Sequence, residues 1–207
     1  MVKEWIQELE AENDIKVVSL NLVQGYRNVV AGKAVTKPED LKGLTLRCPN
    51  TEIWRAAVSS LGCSVQGMGR GDIYNNLVNK VIDGYEDVYP CIVSESYYEI
   101  KNVNTISETH NILLLNPVVV DAGWFNSLPE EYQTILMETC DEASSACSEK
   151  MLGEFTEEAK QRCIDEGMTV IDHSEIDVDA FREAAKTSYE QLGLTDTYNQ
   201  VMEALGR

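Results

Sequence analysis

The chain has 207 residues, 43% of them hydrophobic and 25% charged, which excludes disordered and fibrous classes and allows one large domain or two small ones. Its 35 acids against 17 bases give a formal net charge of −18, which argues against a nucleic-acid partner. No apolar run approaches the ~20 residues of a membrane helix; the longest, Ile112 to Val120, is interrupted by Asn116 and Pro117.

From the N-terminus, Val2–Asn13 reads as the end of an amphipathic helix, and Ile15–Val23 alternates with strong β propensity as a strand does. Thr36 to Gly43 carries a proline in its first turn and a closing glycine, the signature of a one-turn helix. Leu44–Cys48 is a short strand stopped by Pro49. Thr51–Leu61 is a helix closed by Gly62, with Trp54, Ala57, Val58 and Leu61 on its inner face. The glycine-spaced loop Gly67-Met68-Gly69-Arg70-Gly71 precedes a helix opened by Asp72, and Gly84 ends or bends the segment after that helix. Val103–Ser107 and Ile112–Asp121 are strand-like. Pro129 to Glu166 repeats Tyr132, Leu136, Cys140, Ala143, Cys147, Met151, Phe155, Ala159 and Cys163 at helical steps, which predicts one continuous helix of ~55 Å, long enough to span two lobes. Met168–Ile171 is a last strand, followed by helices over Val178–Gln191 and Thr197–Leu205. Short strands alternating with helices indicate an α/β protein.

Charge is uneven along the chain. Residues 1–101 hold 14 acids and 11 bases, while residues 102–207 hold 21 acids and 6 bases. Arginines of the first half therefore stand out as places for an anionic ligand. The six cysteines form no C-x-x-C pair, so neither a zinc site nor a disulfide scaffold is indicated. Cys140, Cys147 and Cys163 share one helical stripe and read as core filling, in keeping with a reducing or anaerobic setting. The opening Met1-Val2-Lys3-Glu4-Trp5 lacks the apolar core of a signal peptide.

Little in the sequence points to catalysis. The two histidines, His110 and His173, have no serine or cysteine in a nucleophile-elbow setting. The glycine-spaced loop is neither a phosphate loop nor a dinucleotide fingerprint, although a helix start there suits an anion. Asp83, Glu86 and Asp87 cluster without further ligands at metal spacing, so no metal or cofactor is expected. Arg47, at the end of its strand, is placed to clamp a carboxylate through two parallel hydrogen bonds.

The segments Gly25-Tyr26-Arg27-Asn28 and Lys37-Pro38-Glu39-Asp40-Leu41-Lys42-Gly43-Leu44-Thr45-Leu46-Arg47-Cys48-Pro49 resemble the G-x-R and "PEDLKGLKIRVP" signatures of TRAP transporter solute receptors, the DctP family. Val81-Ile82-Asp83-Gly84-Tyr85-Glu86-Asp87 is similar to that family's "VDGQEN", and Trp124 to Gln133 to its "W-x-x-LPEE-x-Q". The resemblance covers about residues 10–205. It implies a periplasmic-binding-protein-like α/β fold of two lobes joined by a long bridging helix, and a non-enzymatic receptor. Such a receptor captures a small organic acid, for instance a dicarboxylate, outside the cytoplasm and delivers it to an integral membrane permease.

Carried over by motif, the family's carboxylate-clamping arginine falls on Arg47 and a second arginine on Arg27. The ligand-facing asparagine that closes "VDGQEN" falls on Asp87, an aromatic wall residue on Arg70, and the motif's glutamine on Tyr85. The last three depart from the family pattern, so Arg70, Tyr85 and Asp87 are expected to set selectivity. Arg70 and Asp87 either pair, or Asp87 meets a ligand ammonium or hydroxyl. Residues 25–112 with 153–207 would form a nearly complete second lobe, and 1–24 with 113–152 a remnant of a first lobe that is largely missing. The apolar face of Leu113–Val120 would then be bare. That predicts a homo-oligomer, strand swapping, or a second polypeptide supplying the missing N-terminal lobe. The competing expectation is a truncated remnant that folds and oligomerises without tight binding.

Overall fold

The computed structural model describes residues 2–206. Along the chain run α1 (Val2–Glu12), β1 (Ile15–Ala31), β2 (Thr45–Cys48), α2 (Glu52–Ser59), β3 (Ser64–Gly67), α3 (Ile73–Val78), β4 (Gly84–Asp87), α4 (Tyr89–Ser94), β5 (Thr105–Asp121), α5 (Ala122–Ser127), α6 (Glu130–Leu152), α7 (Glu154–Asp165), β6 (Thr169–Ile171), α8 (Val178–Gln191) and α9 (Thr195–Ala204). The strands form a mixed sheet in the order β3-β2-β4-β1-β5-β6. The chain divides into two compact units, one of residues up to Tyr26 with Leu113–Glu158, the other of Arg27–Ile112 with the stretch from Ala159 onward.

The larger unit holds the core. Here β2 runs parallel to β3 and to β4, while β4 pairs antiparallel with the end of β1. Val29 and Val30, neighbours on β1, point to opposite faces, as the strand period requires. Each seeds a separate apolar cluster. Val30 joins Ile73 and Leu77 of α3, Ile92 of α4, Tyr85, Ile106, Ala159 and Cys163. Val29 joins Leu46, Cys48, Val58 of α2 and Phe181 of α8. Helices therefore cover both faces of the sheet, the layering that alternating strands and helices predict. Gly84 has a steric reason to be glycine, because a Cβ there would stand 2.4 Å from the Val30 carbonyl oxygen and 2.8 Å from Leu46 Cδ2. Only a residue without a side chain lets β4 fit between β1 and β2.

The smaller unit is held more by polar contacts. Ser144 and Ser148 form the buried face of α6. The Ser148 hydroxyl accepts from the Val23 amide at 2.7 Å and donates to the Asn21 carbonyl at 2.6 Å, tying α6 to β1. The Asn21 side-chain amide donates to Asp141 Oδ1 and to Ser145 Oγ. Along β5, Leu113, Leu115 and Val119 are exposed, alternating with half-buried neighbours.

Four expectations need correction. The predicted continuous helix over Pro129–Glu166 is broken at Gly153, with φ −110° and ψ −106°. The side-chain periodicity passes through that glycine without a gap, which hides the break. The pieces are 23 and 12 residues, or ~35 and ~18 Å long, rather than one rod of ~55 Å. The cysteine stripe is not a core seam: Cys163 is buried, Cys140 half-buried and Cys147 exposed. Strands β3 and β4 were not anticipated, since each has four residues and begins beside a turn or at a glycine. Finally, β1 and β5 each run 17 residues, where a strand ending at Val23 and two separate strands, Val103–Ser107 and Ile112–Asp121, are predicted, and both continue past a left-handed residue, Gly25 at φ 124° and His110 at φ 46°.

Candidate functional site

Topology brings a set of arginines and carboxylates to the carboxyl ends of three parallel strands in the larger unit. Arg47 lies near the end of β2, Asp87 ends β4, and Met68 follows β3 directly. Loops at the carboxyl ends of parallel strands are where open α/β sheets bind ligands. The register pairing Asn28 with Asp87 sets Arg27 beside the end of β4. The register pairing Arg47 with Tyr85 sets Arg47 one residue before Glu86.

Arg27 is buried and saturated with partners. Its Nε donates to Glu86 Oε2, its Nη2 donates to Glu86 Oε1 at 2.9 Å and to the Glu86 carbonyl, and its Nη1 stands 3.1 Å from Asp87 Oδ1. Four of the five guanidinium donors are so engaged. Its plane lies over the Trp54 ring at 4.9 Å, a cation–π contact. Burial pushes the Glu86 carboxyl above its ordinary value, while the hydrogen-bonded Arg27 guanidinium pulls it back. Burial acts to lower Arg27 as well, yet the facing Glu86 raises it on balance.

Asp87 is fully buried and spans two arginines. Besides Arg27, its Oδ1 accepts from the Val88 amide at 2.9 Å, and its Oδ2 stands 3.0 Å from Arg70 Nη1. The pairing of Arg70 with Asp87 is therefore present. Arg70 reaches Asp87 from the turn Arg70–Asp72, and its side chain remains 38% exposed, with Glu95 at 4.0 Å. Burial works against its charge, but Asp87 outweighs this and raises Arg70 above its ordinary value.

Arg47 differs from the other two. It is only 4% exposed, yet no carboxylate among the described residues lies within ion-pair distance. Its Nε and Nη2 both donate to the Met68 carbonyl, at 3.2 and 3.0 Å. Burial is the largest influence on it and holds it below the usual arginine value. A buried guanidinium with a single carbonyl for company is costly.

The structure thus gathers Arg27, Arg47, Arg70 and Asp87, with Glu86, Trp54 and the Met68 carbonyl as members that sequence reasoning did not assign. Tyr85 is the strand partner of Arg47, but its side chain makes no hydrogen bond to the cluster. Its ring lies in the apolar cluster, edge-on to Tyr97 at 5.0 Å, and its buried hydroxyl has no hydrogen-bond partner among the described residues. A surface hollow bordered by Asn50, Arg55, Val65 and Gln191 contains none of the five predicted residues. His110 and His173 stack with centroids 4.1 Å apart, beside Glu108, whose carboxylate takes Lys160 Nζ at 2.6 Å and the Tyr89 hydroxyl at 2.8 Å.

The larger unit thus carries a buried, arginine-rich cluster at the strand ends of an α/β sheet. Residues 1–196 match the model of the bacterial extracellular solute-binding protein family 7, also called DctP, and the chain belongs to that family. The C4-dicarboxylate-binding periplasmic protein DctP of Vibrio cholerae is 31% identical over 107 residues, covering 52% of this chain and 32% of its own. An apo, open TRAP periplasmic solute-binding protein from Escherichia fergusonii superposes with a TM-score of 0.88 at 26% identity, covering 98% of this chain and 66% of that one. One from Roseobacter denitrificans with bound 3-deoxy-D-manno-oct-2-ulosonic acid gives 0.82 at 27% identity, over 91% and 61%. The chain thus spans a third of that curated relative and about two thirds of the solved structures. These relatives are solute receptors, not enzymes.

Proposed function

We propose that this chain is the ligand-gripping part of an extracytoplasmic receptor that captures a small organic acid and passes it to a TRAP-type membrane permease. Arg47 is the anchor, gripping the ligand carboxylate through its guanidinium. Arg70 and Asp87 shape the site beside it, and Arg27 holds the frame. Tyr85 contributes by packing and through its free hydroxyl. Residues 25–112 with 153–207 act as one lobe, and 1–24 with 113–152 belong to the other. The relatives that bind C4-dicarboxylates and 3-deoxy-D-manno-oct-2-ulosonic acid share one ligand feature, a carboxylate. None of the helices of the described residues is long and apolar enough to cross a membrane.

One observation carries the proposal: Arg47 is buried without a counter-ion among the described residues, while Arg27 and Arg70 have theirs. The test is a thermal-shift panel of small carboxylates, each at saturating concentration, on the parent and on Arg47→Met. A ligand that binds only the folded state stabilises it in proportion to the logarithm of its occupancy. The parent is expected to melt higher with at least one acid, and the variant to lose that shift through an affinity drop of ~30-fold or more, the cost of removing one side of a buried charge pair. A shift that survives in Arg47→Met removes Arg47 as the anchor, and no shift with any acid ends the receptor reading.

A further inference from the structure

The cluster's charges are unevenly paired. Three guanidiniums, of Arg27, Arg47 and Arg70, share the two buried carboxylates of Glu86 and Asp87, with Glu95 at the exposed side of Arg70, and among the described residues only the charge of Arg47 has no carboxylate within ion-pair distance. Arg70, the one guanidinium of the three that is partly open to solvent, is already matched by Asp87 at 3.0 Å, and Glu95 at 4.0 Å adds a second negative charge beside it. Asp87 itself has no exposed surface; its Oδ1 accepts from the Val88 amide and pairs with Arg27, and its Oδ2 stands 3.0 Å from Arg70 Nη1 in an ion pair without a hydrogen bond, so burial between two guanidiniums keeps it from a ligand ammonium.

Building on the receptor reading above, we propose that Asp87 is a built-in counter-ion that limits the site to ligands with one carboxylate. The ligand supplies the single negative charge that Arg47 lacks. A second ligand carboxylate approaching Arg70 meets a guanidinium whose charge is already neutralised, with the Asp87 and Glu95 carboxylates beside it. Like charges brought together in a desolvated site discriminate more strongly than an absent contact does. The favoured ligands are monocarboxylates whose other end is neutral, such as hydroxylated sugar acids.

The test uses acids differing only in a terminal hydroxymethyl against a carboxylate: D-galactonate against galactarate, and 4-hydroxybutyrate against succinate. Any monoacid identified by the thermal-shift panel is added with its own dicarboxylate counterpart. Titration calorimetry at about pH 8, where both carboxylates are ionised, is expected to show the best-bound monoacid favoured over its partner by ~10-fold or more. Asp87→Asn, which frees Arg70, should bring the pair within ~3-fold by gain of dicarboxylate binding. Repeating the wild-type titration in two buffers of different ionisation heat supplies a readout that needs no variant. Any dicarboxylate that binds should take up close to one proton, and the monoacid none. Equal or tighter dicarboxylate binding by the wild type without proton uptake overturns the proposal, as does Asp87→Asn that folds and keeps the preference. Loss of all acid binding in the panel is a different failure, that of the receptor reading, because Asp87 selects only among ligands that Arg47 holds.

Discussion

The two buried arginines separate support from ligand capture, and a matched pair of substitutions to methionine tests that division. Methionine keeps the aliphatic length of arginine and removes its charge. Arg27→Met strips Glu86 of its guanidinium contacts and takes one of two arginines from Asp87, with both carboxylates left in the interior. Breaking a buried ion pair from one side costs ~3–5 kcal/mol, which for a chain of this size lowers Tm by ~6–20 °C. The apolar part of the Trp54 contact survives, so the loss is electrostatic. Arg47→Met gives up two donors to one carbonyl but also removes a desolvated charge with no carboxylate partner. Without ligand its stability should fall within ~1 kcal/mol of the parent, on either side. Calorimetric unfolding of the three proteins in buffer free of organic acids compares them directly. Since the chain has two compact units, the transition to follow is that of the larger one. Equal losses for both variants would mean that Arg47 is as structural as Arg27 and would refute the assignment.

Two further outcomes follow from groups outside the ion network, one buried and one half-buried. Tyr85→Phe deletes a buried hydroxyl that has no partner, so the ligand-free protein should keep its stability or gain ~1 kcal/mol in chemical denaturation; a loss of acid affinity in the same variant would show that the hydroxyl meets the ligand. His110 is held below its ordinary value, first by burial and then by the facing His173 and by Lys160, with Glu108 and Asp172 opposing. A depressed histidine contributes stability that is complete above the unfolded value of about 6.5 and is lost as pH falls below it, because the unfolded chain takes the proton first. His110→Asn, which tolerates the left-handed backbone at this position, should flatten the decline of stability below that pH. Parallel curves for parent and variant would exclude the stacked pair as its source.

Much of the fold was legible because its signals are local. Pro38 and Gly43 mark the short turn, and Gly62 closes α2. Alternation marks the start of β1, and helical spacing marks α8. Gly153 was missed because apolar periodicity is blind to a single residue that changes the chain direction without breaking the spacing. The α6 face was misread for a related reason. Serine scores as polar, yet Ser144 and Ser148 are its buried residues because Ser148 exchanges hydrogen bonds with β1. β4 escaped notice because its acids resemble a solvated patch. Burial of Glu86 and Asp87 depends on Arg27, which is 59 residues from Glu86 in sequence, and no local pattern carries that information.

The candidate site was legible in its parts but not in its division of labour. The motifs pointed to Arg47 as the main anchor and to Arg27 as a second one. Their neighbours set the two apart. Arg27 faces a carboxylate three strands later in sequence order and becomes part of the frame, whereas Arg47 faces a carbonyl and keeps its charge unspent. The same logic explains the paired departures at positions 70 and 87. An acid at 87 buried beside Arg27 alone would share one guanidinium with Glu86, leaving two negative charges on one positive. Arg70 supplies the missing cation, at 3.0 Å, and so makes Asp87 tolerable in the interior. The two residues are one electrostatic unit, and replacing either alone should disturb both stability and ligand choice, while the double change Arg70→Tyr with Asp87→Asn restores the charge balance with Arg27 still paired to Glu86.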